Sequence, residues 1–531
     1  MIVRRMMGMR NMWQTTFLVV VALSARTLPA VEIHSNGQGG GNWNSPTTWH
    51  GGKVPQSLDT VVIAMRDTVA YDRVGILTPA CAGLFLDPEA ILTFKQAEGK
   101  TVLAVDGSIE SYGVIKIDGT KSRDGSYELR VVSRPGLQNV IRLLQDSALL
   151  VYGREGLPEN ARNVIIHGAV IEGTAGVIPT MISNTTSAMV DVQRATLKNV
   201  QFYISSLDNT GAKPNERLNL IHNQFHGQSN LVMVACDTPA VRNNEFRKGL
   251  QTGDYYAIHG NGNKLADISA NSFIGSFTHG VYLTNDTDSP IINNRFEGCK
   301  LGIYWHGANG IIKKNRLERC HVGVYLDVGT AVLEDISIEQ PMFGVQVANS
   351  VTHQLTSCRI EKVQKGGSAL HLISGAATAV NCNISPDQIK LEGTPAGGVP
   401  FLQTMDYVIV KVTGNIPTGS TVQVQTAAAS GGVPAGKADL NVSNSPNRLN
   451  ANHETMWPVS TRCLTVKSWI IAANKQRINA PFYDVSVVAP PVGDKPGQPP
   501  RVLAKQMVEP ALTWFQINPA APQPTFEVKL P

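Results

Sequence analysis

The strongest constraint in this sequence is a repeat. The triplets "NQF", "NEF", "NSF", "NRF" and "NRL" return through the middle of the chain and continue in degenerate form as "ISI", "CRI" and "CNI". Their last residues are Phe225, Phe246, Phe273, Phe296, Leu317, Ile338, Ile360 and Ile384, in steps of 21, 27, 23, 21, 21, 22 and 24 residues. A second series, "AIHG", "GVYL", "GIYW", "GVYL", "GVQV" and "ALHL", starts at Ala257, Gly280, Gly302, Gly323, Gly344 and Ala369. Two strand-like elements per period of about 22 residues, without helical periodicity, define a solenoid of β-strands. One such unit cannot bury its apolar face alone, so the coils must stack.

Composition agrees with an all-β chain. Charged residues are 16% of the 531, with 48 glycines and 30 prolines for turns. Side chains alternate along a strand. In the second series Val281, Leu283, Ile303, Trp305, Val324, Leu326, Val345 and Val347 therefore point inward. His259, Tyr282, Tyr304, Tyr325, Gln346 and His371 point outward, followed two residues on by Asn261, Thr284, His306 and Asp327. Coils about 4.8 Å apart turn such positions into ladders. On the triplet strand the outward pairs Arg295/Glu297, Arg316/Glu318 and Arg359/Glu361 read as a solvated charge ladder. Asn223, Asn244, Asn271, Asn294 and Asn315 should stack at the preceding turn and bond its backbone.

Coils of this length with these irregular repeats resemble the pectate-lyase-like right-handed parallel β-helix superfamily, over residues 151–395. The resemblance implies an all-β fold, a single-strand solenoid. It implies no one reaction, because that fold hosts many. Residues 31–150 read as a β-rich capping domain. Within it, "GQGGGNWNSPTTWHGGKVPQSLDTVVI" places Trp43, Trp49, Gly51, Pro55 and Asp59 before the strand Val61–Ile63. This stretch resembles the eight-glycine N-terminal domain of secreted and cell-surface polysaccharide-processing proteins. Residues 396–488 suggest a small β-sandwich, and 489–531 a Pro-rich linker with a terminal strand.

Residues 1–30 read as a signal peptide, with Arg4, Arg5 and Arg10 ahead of the apolar run "FLVVVALSA". Cleavage removes four arginines and no acids, which takes the formal charge from +5 to +1. No nucleic-acid partner is indicated, nor a membrane span after cleavage. The expected protein is secreted or extracytoplasmic, and a monomer. Its seven cysteines form no CxxC pair, so stacked buried thiols are expected rather than a zinc site.

Candidate chemistry gathers on the outward face of the second series. Loop length varies just before these strands, as on the binding side of a solenoid, and the longest insertion is "RKGLQTGDYY" at 247–256. The candidate catalytic residues are His259, Tyr282, Tyr304, His306 and Asp327. The candidate substrate-binding residues are Asp254, Tyr256, Asn261, Lys300 and Tyr325. His279 lies just before its strand, while Asn285, Asp286 and Asp288 lie just after it. No cofactor is certain; Ca²⁺ held by Asp286 and Asp288 is the weak candidate. Aromatic faces suit sugar rings, and His and Tyr suit proton transfer. Hydrolysis needs two facing carboxylates, and the strand positions offer only Asp327. The expectation is therefore a lyase-type β-elimination on an acidic polysaccharide. The alternatives are a non-catalytic carbohydrate-binding or cell-surface scaffold, and a glycoside hydrolase or C5 epimerase on the same fold.

Overall fold

The computed structural model describes residues 31–73, 79–95, 101–118, 127–132, 139–144, 148–152, 164–174, 180–184, 190–205, 218–248, 255–348, 351–380, 382–392, 401–407, 409–426, 447–448, 465–472, 477–479, 483–490, 501–508 and 525–530. Residues 1–30, Asp254 and the linker 491–500 lie outside them. Among the described residues the helical segments are short 3-10 turns, and nearly everything else regular is strand. No helix there is long and apolar enough to cross a membrane.

The chain winds as a parallel β-solenoid. Its strands form three long sheets of 14, 15 and 15 strands, in which each strand pairs parallel with its counterpart one coil away, save two antiparallel strands at the end of one sheet. A full coil has three strands, one more than the repeat suggests. The coil of Tyr304 runs through Pro290–Ile292, Arg295–Glu297 and Leu301–Ala308. We call these the third, triplet and tyrosine sheets. The extra strand carries Ile268, Ile291, Ile312, Leu333 and Leu355, which pair in register and are fully buried. Each stands five residues before a triplet apolar residue. These strands are three to five residues long, and where a second inward position exists it carries Gly310, Ala331 or His353, so no run of alternating large apolar residues reveals them.

Stacking fills the interior. Phe225, Phe246, Phe273 and Phe296 form a face-to-face column with centroid separations of 4.3, 5.1 and 4.6 Å. Leu317, Ile338 and Ile360 extend it, all buried. Between the third and triplet strands the chain turns at one left-handed residue per coil, such as Asn243, Ala270, Asn293 and Lys314 (φ 54 to 58°). The asparagine after each of these is buried. Its Oδ1 accepts the backbone N–H of the preceding coil's asparagine, as from Asn271 to Asn294 at 2.8 Å. Its Nδ2 donates to a carbonyl of that coil, as from Asn294 to Ile268 at 2.9 Å. Cys358 and Cys382 take over this position, the Cys358 N–H meeting Cys382 Sγ at 3.4 Å. All six described cysteines are free thiols.

The second-series glycines are required by close approach. A Cβ on Gly302 would lie 2.5 Å from Leu317 Cδ2 and 2.7 Å from the Gly323 carbonyl, and Gly280, Gly323 and Gly344 face the same obstruction. The Arg/Glu ladder is present, its arginines exposed and its glutamates partly buried, with Arg295 bridging Glu297 at 2.8 Å and Glu318 at 3.2 Å.

The ends depart from the expected boundaries. The strands between Glu32 and Tyr152 pair within the same three sheets as those that follow, so no sheet breaks at residue 150. The glycine-rich segment closes the first coil. Trp43 packs edge-on against Trp49 and Tyr71 at 5.1 and 5.2 Å. The buried Asp67 carboxylate accepts the N–H groups of Gly37 and Gly39 at 2.9 and 2.8 Å. After the last coils, Phe401–Tyr407 extends the third sheet and pairs antiparallel with Thr465–Ala472. A separate four-stranded antiparallel sheet includes Arg501–Val508, from beyond the expected boundary at 488. Thr525–Lys529 pairs with Ile409–Thr413.

Candidate functional site

Four strands of the tyrosine sheet build the site: Tyr256–Asn261, His279–Thr287, Leu301–Ala308 and Val322–Val328. The inward assignments hold. Val281, Leu283, Ile303, Trp305, Val324 and Leu326 are fully buried. The Trp305 indole donates to the Gly307 carbonyl at 3.1 Å inside the wall.

The outward ladder pairs His259, Tyr282, Tyr304, Tyr325, Gln346 and His371 in register. The three tyrosines stack, with ring centroids 4.5 Å apart for Tyr282–Tyr304 and 5.4 Å for Tyr304–Tyr325. His259 meets Tyr282 edge-on at 5.1 Å. A second column, less legible in the sequence, stacks Tyr256 on His279 at 4.8 Å. His279 also abuts Tyr282 edge-on at 4.9 Å. Its signal is that Tyr256 and His279 each stand three residues before an outward ladder residue.

The regular ladder fails at His306. Thr284 pairs with His306 but Asp286 pairs with Gly307, which leaves Asn285 as an extra residue. On the other flank Trp305 pairs with Leu326 but His306 pairs with Val328, which leaves Asp327 as an extra residue. Asp327 is therefore a β-bulge and not the in-register neighbour of His306, a correction to the simple alternation. The bulge aims its carboxylate back across the coil. Asp327 Oδ2 accepts the Tyr304 hydroxyl at 2.5 Å and lies 3.0 Å from His306 Nδ1. An ionised carboxylate only accepts, so His306 donates to it from Nδ1, and in the neutral ring Nε2 is then the acceptor. His306 and Asp327 are each about a third exposed, at 32% and 33%.

Burial sets the protonation of the neighbours. It shifts His259 downward from the ordinary imidazole value and so favours the neutral ring. Burial first, and then the Asp327 hydrogen bond and charge, push the Tyr304 phenol up; burial and Asp327 do the same to Tyr325. Both shifts disfavour ionisation and keep the phenol form.

The other candidates scatter. Tyr256 and Tyr325 join the aromatic face, Asn261 is exposed at the end of its strand, and Lys300 is exposed before the next. Asp254 lies outside the described residues. The Ca²⁺ pair is not brought together at the surface. Asp286 is fully buried, and its carboxylate accepts the Asn263 N–H at 2.9 Å and Asn263 Nδ2 at 3.2 Å. Desolvation pushes it up to about 7 against those bonds. Asp288 sits in a left-handed turn, its N–H spent on the Ala308 carbonyl at 3.1 Å. Among the described residues no three His, Cys, Asp or Glu side chains converge as a metal site.

The fold and this face define a parallel β-solenoid with an irregular aromatic, imidazole and carboxylate surface on one sheet. The sequence profile described as "Right handed beta helix region" matches residues 256–391, the coils that carry the site. Among solved structures, a periplasmic alginate epimerase, AlgG, is 14% identical over 58% of this chain and 78% of its own, with a TM-score of 0.30. An endo-xylogalacturonan hydrolase from Aspergillus tubingensis is 13% identical over 68% of this chain and 89% of its own, with a TM-score of 0.13. The receptor-binding domain of the Siphovirus 9NA tailspike is 8% identical over 90% of this chain and 86% of its own, with a TM-score of 0.19. No curated protein matches the chain.

Proposed function

We propose that this protein acts outside the cytoplasm on an acidic polysaccharide, by removing the proton beside a uronate carboxylate. One observation carries the reading: the regular ladder is broken on both sides of His306, and one break places Asp327 on both His306 Nδ1 and the Tyr304 hydroxyl. Plain stacking of tyrosines needs no bulge, and bulges re-aim side chains beside active sites.

Asp327 holds the imidazole in the tautomer whose Nε2 can take the proton. Tyr304 fixes the carboxylate. A second tyrosine of the stack, held in its phenol form, can protonate the leaving oxygen. Loss of the glycosidic oxygen gives β-elimination. Return of a proton from the opposite side gives C5 epimerisation instead. Hydrolysis has less support, because Asp286 is committed to the wall and Asp327 is the carboxylate on the described strand face.

The test is incubation with hyaluronan, chondroitin, alginate and pectate, with and without Ca²⁺. An ultraviolet-absorbing unsaturated end group reports elimination, and solvent deuterium at C5 without chain cleavage reports epimerisation. New reducing ends without that absorbance would replace the reading with hydrolysis. Binding without any product would leave a recognition surface, and no binding to any polymer would reject both.

A further inference from the structure

Resting on that reading, we infer that Asn285, paired with Asn261, forms the carboxylate-binding side of the site, so that an acidic sugar lies with its carboxylate toward the coil before His306. Three observations meet here. Asn285 is the second extra residue beside His306, opposite in the ladder to Asp327. It takes a left-handed backbone (φ 56°) and is exposed. Its Nδ2 donates to Asn261 Oδ1 at 3.1 Å, which fixes the direction of both amides. Asn261 Nδ2 and the second Asn285 N–H are then left to donate outward.

The two flanks of His306 therefore differ in kind. On one side Asp327 is anionic and accepts only. On the other, two neutral amides offer donors. An anionic group is repelled from the first and hydrogen-bonded by the second. Removal of the adjacent proton moves negative charge onto that carboxylate, so the same donors strengthen their hold as the proton leaves. The leaving oxygen then falls toward Tyr325, whose phenol stays protonated.

The experiment compares wild type with Asn285→Gly and Asn285→Asp. Both replacements tolerate the left-handed backbone, and thermal unfolding confirms folding. Each is assayed by calorimetry and turnover on uronate oligosaccharides and on their methyl esters. Loss of a hydrogen bond to a charged group lowers kcat/KM on the free acid about tenfold for Asn285→Gly. Asn285→Asp, which adds a like charge, lowers it on the order of a hundredfold. The ester loses far less with either, so the acid-to-ester ratio falls. Equal losses on acid and ester, or none, overturn the inference while the proton-abstraction reading stands. Acid-selective binding that Asn285→Asp abolishes, in a protein without turnover, sustains the inference and sinks the catalytic reading. A wild type that neither binds nor converts any uronate oligosaccharide overturns both.

Discussion

Replacing Asp286 with asparagine should stabilise this protein, and increasingly so as pH rises. Asp286 is fully buried and its carboxyl is pushed from 3.8 up to about 7, chiefly by desolvation. A carboxyl whose folded value is raised binds its proton more tightly folded than unfolded. Its contribution to stability is full below about pH 4 and falls as pH rises toward and past 7. Three pH units correspond to roughly 4 kcal/mol once both states are ionised, and about 2.5 kcal/mol of that falls between pH 5 and pH 8. The site is ready for an amide. One coil earlier Asn263 donates to the Met233 carbonyl at 3.2 Å, and Gly260 is the ladder equivalent of Met233. Asp286 Oδ2 already lies close to Gly260, 3.1 Å from where a Cβ would be. Denaturant unfolding of wild type and D286N at pH 5 and pH 8 measures the effect. The difference between the two proteins should grow by about 2 to 3 kcal/mol from the lower pH to the higher. Subtraction cancels every other titrating group. A difference that stays constant between the two pH values refutes the reasoning.

Other outcomes follow from the same geometry. His306→Ala and Asp327→Asn should each lower kcat by about a hundredfold or more in whichever assay shows turnover, with the fold intact by circular dichroism; full activity in both would place the chemistry elsewhere. Asn294→Ala removes an acceptor for the Asn271 N–H and a donor to Ile268, and should cost about 2 to 4 kcal/mol in denaturant unfolding. Gly302→Ala should destabilise by several kcal/mol, on the order of 3, because its methyl meets backbone as well as Leu317. His353 is buried and pushed down to about 4 by desolvation, so its contribution is present above about pH 6.5 and is lost as pH falls toward 4. His353→Asn should flatten that acid limb of the stability profile.

The architecture was legible because a solenoid repeats its own constraints. Phe273 alone says little, but Phe225, Phe246, Phe273 and Phe296 at similar spacing require a column. The asparagine ladder followed from the same logic, since five amides at one corner must satisfy one another. The inward tryptophan was legible too: alternation alone turns Trp305 away from solvent. What the sequence hid was departure from the repeat. The third strand escaped because each copy has one large apolar inward residue, and the other inward position, where there is one, carries Gly310, Ala331 or His353. The frame around His306 escaped because a bulge is one residue of length: Asp327 in "GVYLDV" and Asn285 in "GVYLTN" two periods earlier are both extra residues, and neither string shows it. Asp286 was misjudged for a related reason. A carboxylate in "NDTDS" looks like a surface ligand until the turn ladder assigns it to Asn263.

The interruption at His306 also bears on how such a surface can change over generations. The coil containing His306 is one residue shorter, at that point, than the coils on either side of it. What brings Asp327 onto His306 is thus a matter of relative chain length, as much as of the side chains present. A single-codon insertion after Trp305 would restore even pairing and disperse the cluster without altering any of its members. A single-codon insertion elsewhere on the same sheet could assemble a comparable cluster from residues that already stand in ordinary ladders. On a wall of stacked coils, slippage by one residue works like a vernier, and new chemistry can arise from counting alone.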